Sequence, residues 1–277
     1  MKYVFFGTPD FASIILKDLI TRGYAPLAVV TNPDRPVGRK QVITPSPVKT
    51  LALENGIKVL TPGSLKGEEI QKELEAIGGD IFILAAYGKI IPGPVLEIPQ
   101  NGVVCVHPSL LPKLRGATPV QNAILQGFKE TGVTLFQMDK EIDHGPFWLQ
   151  EKTEIRAEEN TESLLERLAG VSARMVAELL DNFSKLEPIP QNHAEATFTR
   201  KLETSDAFIE ETDLQRAETG GGEITYILDR KIHAFYPEPG AWTIRDGKRV
   251  KLLDSEVIDG KLKLKVIQIE GKKPQAI

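Results

Sequence analysis

Residues 3–31, YVFFGTPDFASIILKDLITRGYAPLAVVT, decide the fold. Tyr3-Val4-Phe5-Phe6 has the composition of a buried strand and is ended by Gly7. Asp10 is placed to cap a helix in which Phe11, Ile14, Ile15, Leu19 and Ile20 recur at helical spacing as far as Gly23. Leu27-Ala28-Val29-Val30-Thr31 then forms a second strand. Strand, helix and strand within about thirty residues make a βαβ unit, which demands a parallel sheet with a right-handed crossover. Gly7-Thr8-Pro9 is not GxGxxG, so no dinucleotide site is expected.

The same alternation continues. Ser46-Pro47 opens a helix that closes at Asn55-Gly56, and Lys58-Val59-Leu60 is a strand. Residues 66–77 have a helical pattern stopped by Gly78-Gly79. Asp80–Ala85 is a strand apolar on both faces, as central parallel strands are. Tyr87 and Gly88 follow at its C-terminal end, where open α/β sheets place ligands.

Val103-Val104-Cys105-Val106-His107 is another buried strand, and it runs into the loop Pro108-Ser109-Leu110-Leu111-Pro112. Cys105 and His107 share one face because side chains alternate along a strand. Thr118-Pro119-Val120-Gln121 combines capping-box spacing with Pro at the first helical position, so loop 109–117 is pinned between a strand end and a helix start. Backbone N–H groups of such a loop suit a carboxylate or a heterocycle edge. Gly132–Met138 is a strand that delivers Asp139, Glu141, Asp143 and His144 into a turn closed by Gly145-Pro146. Those acids become chemically significant if one of them reaches back to His107. Residues 147–155 suggest an antiparallel edge strand, and Asn160 caps an amphipathic helix running to about Leu180.

The fold class is therefore α/β: a mainly parallel sheet domain over residues 1–186, then a linker at 187–200. A small β-rich domain follows at 201–277, with hairpin turns at Asp246-Gly247 and Asp259-Gly260. The 277-residue chain carries a net charge of −4, which excludes a globally basic nucleic-acid binder. Positive charge is local instead. Residues 248–273 hold eight basic and four acidic side chains, and Arg35, Arg39 and Lys40 sit in the Pro- and Gly-rich segment 32–45, expected to be an exposed loop. Two basic patches on an acidic protein suit a polyanionic substrate, and Arg bonds phosphate through a bidentate fork. One cysteine excludes an intramolecular disulfide. No metal-ligand spacing, signal peptide or membrane span is found, so a soluble, cytoplasmic protein without a metal is expected.

Several motifs resemble the methionyl-tRNA formyltransferase family. They are Gly7-Thr8-Pro9-Asp10-Phe11, Pro33-Asp34-Arg35-Pro36-Val37-Gly38-Arg39, Thr44-Pro45-Ser46-Pro47-Val48-Lys49, Ala86-Tyr87-Gly88, His107–Pro112, Arg115-Gly116-Ala117-Thr118-Pro119 and Ile142-Asp143-His144-Gly145. Tyr236-Pro237-Glu238-Pro239-Gly240-Ala241-Trp242 extends the likeness into the small domain. The resemblance implies a Rossmann-like N-terminal domain, an OB-like C-terminal domain and transfer of a formyl group from 10-formyltetrahydrofolate to the α-amine of methionyl initiator tRNA; a monomer is expected. It implies that His107 and Asp143 are catalytic and that Ser109, Leu110, Leu111 and Pro112, with Tyr87 and Gly88, hold the folate. It implies further that Arg35, Arg39 and Lys40 meet the tRNA.

An amine attacking a formyl carbon makes a tetrahedral centre with a negatively charged oxygen, which needs a hydrogen-bond donor and a route for the amine proton. His107 supplies both if Asp143 fixes its tautomer. The family has Asn two residues before the His, and here that position is Cys105, a weak donor. Cys105 can thus be a weakened oxyanion donor, an inert filler, or a nucleophile paired with His107. The small domain is also short between Val257 and Ile269, and the chain stops soon after Lys273-Pro274, without the family's C-terminal helix. The alternatives are an amino-sugar-nucleotide N-formyltransferase and a folate- or tRNA-binding paralogue weakened at Cys105.

Overall fold

The computed structural model describes residues 1–38 and 40–277, so Arg39 lies outside the described residues. The chain runs through β1 (Tyr3–Gly7), α1 (Asp10–Thr21), β2 (Ala28–Val30), β3 (Arg35–Val37), β4 (Val42–Thr44), α2 (Pro47–Glu54) and β5 (Lys58–Leu60). Next come α3 (Glu68–Ile77), β6 (Ile81–Ala85), α4 (Gly93–Leu96), β7 (Val103–His107), β8 (Arg115–Gly116), α5 (Pro119–Leu125), β9 (Glu130–Gln137), β10 (Phe147–Glu154) and α6 (Thr161–Asn182). It ends with β11 (Phe198–Thr199), α7 (Glu211–Thr219), α8 (Glu223–Phe235), β12 (Ala241–Arg245), β13 (Lys248–Ile258), β14 (Lys261–Ile269) and β15 (Gln275–Ala276).

Seven strands form the main sheet in the order β10-β9-β7-β6-β1-β2-β5. The β1–β2, β1–β6, β2–β5 and β6–β7 pairs are parallel, while β7 and β9 are antiparallel. Every residue of β1, β6 and β7 is buried, because both faces of these strands are covered. One face packs Val4, Phe6, Phe82, Leu84, Tyr87, Cys105 and Phe136 into a single cluster. From β1 the chain first builds toward β2 and β5 and then returns to add β6 and β7 on the other side. The strand order thus reverses between β1 and β6, a switch point whose C-terminal edge is the usual ligand crevice.

Two compact units emerge, interleaved along the chain. The first comprises residues 1–113, 132–151 and 166–196, and the second comprises 114–131, 152–165 and 197–277. Residues 187–196 of the stretch expected as a linker thus group with the first unit. In the second, β12, β13, β14 and β15 form a four-stranded antiparallel meander. Asp246, Gly247, Asp259 and Gly260 all have positive φ (51°, 72°, 49° and 71°), the requirement of tight two-residue hairpins.

Three local expectations change. Within segment 32–45, exposed residues 35–37 and 42–44 are not irregular, since β3 and β4 pair antiparallel with Arg35 opposite Thr44 and Val37 opposite Val42. β3 carries Pro36 at its centre, which a two-stranded edge ribbon tolerates, and Gly38 at φ 69° follows it. Helices α7 and α8 occupy residues 211–235, a part of the β-rich region for which no element was expected. The buried Thr225, Leu228, Ile232 and Phe235 of α8 lie at helical spacing, although Ile and Thr favour strands by propensity. The caps differ as well. Asp10 is the first residue of α1 rather than its cap, and Thr118 makes no side-chain cap bond in α5. Asn160 does cap α6: its Oδ1 accepts from the Ser163 N–H at 3.0 Å, and Ser163 Oγ accepts from the Asn160 N–H at 3.1 Å.

Candidate active site

His107 is the last residue of β7 and is 5% exposed. Its Nδ1 stands 3.6 Å from Oδ2 of Asp143, and its ring meets Phe136 edge-on at 6.4 Å between centroids. The acid that reaches back from the 139–144 turn is therefore Asp143. It does so from a left-handed backbone conformation, with φ of 48°. His144, next in the chain, turns its Nδ1 to Asp139 Oδ2 at 2.7 Å instead.

Cys105 is buried and packs within the core cluster that includes Leu84 and Phe136. Burial pushes its thiol pKa well above the ordinary value, and the nearby Asp143 carboxylate adds to that. A nucleophilic thiolate needs the opposite environment, so the geometry speaks against that role.

The loop after His107 is held firmly, by residues that sequence reasoning missed. Thr134 lies opposite His107 in the β7–β9 register. Its hydroxyl donates to Ser109 O at 2.6 Å and accepts from the Leu111 N–H at 3.2 Å. Gln150 donates from Nε2 to Leu111 O and to Thr134 Oγ1, both at 2.9 Å. Ser109 is buried and donates to Lys113 O at 2.7 Å. Leu110 and Pro112 remain half-buried, while Leu111 is buried. Gly132 makes room for this loop, because a Cβ there would fall 2.6 Å from Leu110 Cδ2 and 2.1 Å from Glu151 O. The alternating polar residues of β9 and β10 carried this signal weakly, since what matters is which of them faces the loop.

Ala85 pairs with Val106, so the chain leaves β6 beside the end of β7. Ala86 and Gly88 both have positive φ there, 46° and 78°. The Tyr87 ring turns into the core against Phe6, in an edge contact at 5.6 Å. Its carbonyl accepts from Thr8 Oγ1 at 3.3 Å and Asn32 Nδ2 at 3.0 Å. Burial pushes the Tyr87 hydroxyl up to about 12. Among the described residues, Tyr87 Oη and Asn32 Oδ1 are buried polar atoms without a hydrogen-bond partner. Gly88 is exposed.

Arg35 and Lys40 are both exposed, Arg35 on β3 and Lys40 in the turn between β3 and β4. Among the described residues no group of three or more His, Cys, Asp or Glu side chains can hold a metal ion, and no helix is long and apolar enough to cross a membrane.

A doubly wound sheet with a His–acid pair at a central strand end, beside a rigidly held loop, is the framework of an α/β group-transfer protein. The formyl transferase family profile matches residues 1–180, and that of the formyl transferase C-terminal domain matches residues 225–274. The chain belongs to the formyl transferase family and is an enzyme of that class. It is 42% identical over 261 residues to a methionyl-tRNA formyltransferase of Methylococcus capsulatus, covering 94% of this chain and 82% of the relative. Among solved structures it resembles methionyl-tRNA formyltransferase from Clostridium thermocellum, with TM-score 0.64 and 19% identity over 97% of this chain and 99% of that one. It also resembles the N-formyltransferase of Helicobacter canadensis bound to folinic acid and dTDP-3-aminofucose, with TM-score 0.63 and 18% identity over 97% and 95% of the two chains. At those identities the structural likeness concerns the fold.

Proposed function

We propose that this enzyme transfers a formyl group from 10-formyltetrahydrofolate to the α-amino group of methionyl initiator tRNA. The observation that carries the reading is the His107 Nδ1–Asp143 Oδ2 approach of 3.6 Å at the end of β7. Curated relatives near 40% identity that bear this activity's name support it. In this reading His107 donates a hydrogen bond to the oxygen on which charge develops, and Nε2 exchanges the amine proton. Asp143 fixes the tautomer and stabilises the imidazolium.

The residues present fit a folate. Ser109–Pro112 offers leucine and proline side chains for the face of a flat heterocycle, on a backbone held in place by Thr134 and Gln150. Tyr87 and Gly88 would border the same crevice, with Tyr87 contributing backbone more than its inward-turned ring. Arg35, Arg39 and Lys40 would meet tRNA phosphates. In the second unit Lys261, Lys263 and Lys265 are exposed at alternate positions along β14, a basic face of its own. Cys105 replaces a good amide donor by a buried, protonated thiol, which makes a slow enzyme the expected outcome.

The test offers 10-formyltetrahydrofolate with methionyl initiator tRNA in one reaction and with dTDP-3-aminofucose in another. Formylated methionyl-tRNA and unmodified sugar are expected. Formylation of the sugar alone would favour an amino-sugar-nucleotide enzyme. Activity appearing only in Cys105→Asn would mark a silenced paralogue.

A further inference from the structure

We propose that Gln191 is a positioning residue for the reaction, acting through Asp143. The inference rests on the formyl-transfer reading and extends it to a residue outside the sheet and its loops. Gln191 lies after α6, in a stretch whose prolines and polar residues suggest a linker, yet it is 5% exposed. Its side-chain Nε2 donates to Asp143 O at 3.0 Å and to Gly145 O at 2.7 Å. Both partners are acceptors, so only the amide nitrogen can face them, and each carbonyl takes one of its two protons.

The turn so gripped has little stability of its own. Asp143 occupies the left-handed region, which a non-glycine residue holds only when its surroundings enforce it. Gly145 passes so close to β9 that a Cβ there would fall 1.9 Å from Gln137 O. Two further contacts of the same stretch seat it against the turn. Phe147 and Ile189 exchange backbone hydrogen bonds at 2.9 and 2.8 Å, and the His193 ring stacks on His144 at 4.1 Å with 3° between planes. Residues 189–193 thus hold the 143–147 turn from outside, while its inner side presents the Asp143 carboxylate to His107. The carboxylate stands at the outer limit of contact with the ring, where a small shift of the turn decides whether the pair closes. Displacement of a reacting group by about 1 Å can cost about a hundredfold in rate.

The experiment compares wild type, Gln191→Met, Asp143→Asn and the double variant in steady-state formylation of methionyl initiator tRNA, with thermal melting of each. Gln191→Met keeps length and removes both donors. The expected result is a kcat about tenfold to a hundredfold lower, with KM for folate and tRNA within about twofold. In the Asp143→Asn background the same change costs less than about twofold, because its effect passes through the carboxylate already lost. A purely structural role would instead add the same loss in both backgrounds. If Gln191→Met does not melt cooperatively, Gln191→Asn, one methylene too short to reach both carbonyls, is read in its place. A folded variant with wild-type kcat, or equal losses in the two backgrounds, overturns the proposal. A wild type that transfers no formyl group overturns the functional reading itself, and the role of Gln191 with it.

Discussion

His107 and Asp143 meet across the end of the sheet, Nδ1 to Oδ2 at 3.6 Å, one from the last residue of a central strand and the other from a turn beyond β9. The imidazole is almost fully buried, whereas the carboxylate lies nearer the surface.

Asp143→Asn tests the pair from the acid side. The amide retains the shape and loses the charge, so kcat falls by about 10²–10⁴-fold while both KM values change little. Steady-state formylation at saturating folate measures it, and a fall confined to KM would assign Asp143 to binding.

Cys105→Asn tests the missing donor. If the amide reaches the developing oxyanion, kcat rises by about 10²–10³-fold. Melting should show a cost of about 1–3 kcal/mol, because the amide enters a site packed by Leu84 and Phe136. Cys105→Ala does not raise kcat, and an equal gain from Ala would mean that space rather than hydrogen bonding limits the reaction.

The Cys105 thiol has a pH signature. Its pKa is raised by burial first and by Asp143 second, so the thiol is neutral at pH 7–8. Its thiolate fraction falls about tenfold for each unit of pH below the pKa. Iodoacetamide labelling of the folded protein at pH 8, followed by mass spectrometry, should be far slower than labelling in urea, and should speed up with pH. Rapid labelling of the folded protein at pH 7 would revive a nucleophilic cysteine.

Much of this was legible in the sequence. Tyr3–Thr31 announced the parallel sheet because apolar runs, a helical face and a glycine stop agree there. The Asp-Gly pairs announced the hairpins because few residues accept positive φ twice in succession. His107 was visible because it ends an apolar strand. The ribbon β3–β4 was hidden by prolines that break the usual strand signature, and α8 by β-branched residues on a helical face. Gln191 left no local mark. Its partners lie more than forty positions earlier in the chain, and only tertiary packing turns a polar residue among prolines into a buried clamp.

The proposed tRNA role of Arg35 and Arg39 predicts that the two substrates respond separately to their loss. Arg35→Ala and Arg39→Ala should each raise KM for methionyl initiator tRNA and lower its salt slope by about 1, leaving KM for folate unchanged. Equal effects on both substrates would remove these arginines from tRNA recognition.

The most direct measurement follows labelled formyl groups from 10-formyltetrahydrofolate to methionyl initiator tRNA, with wild type and His107→Asn side by side at equal folding. Wild type should yield formylmethionyl-tRNA, slowly if Cys105 weakens the site, and the variant should retain no more than about one hundredth of that rate. A silent wild type, or a variant as fast as wild type, would contradict the assignment of formyl transfer to the end of β7.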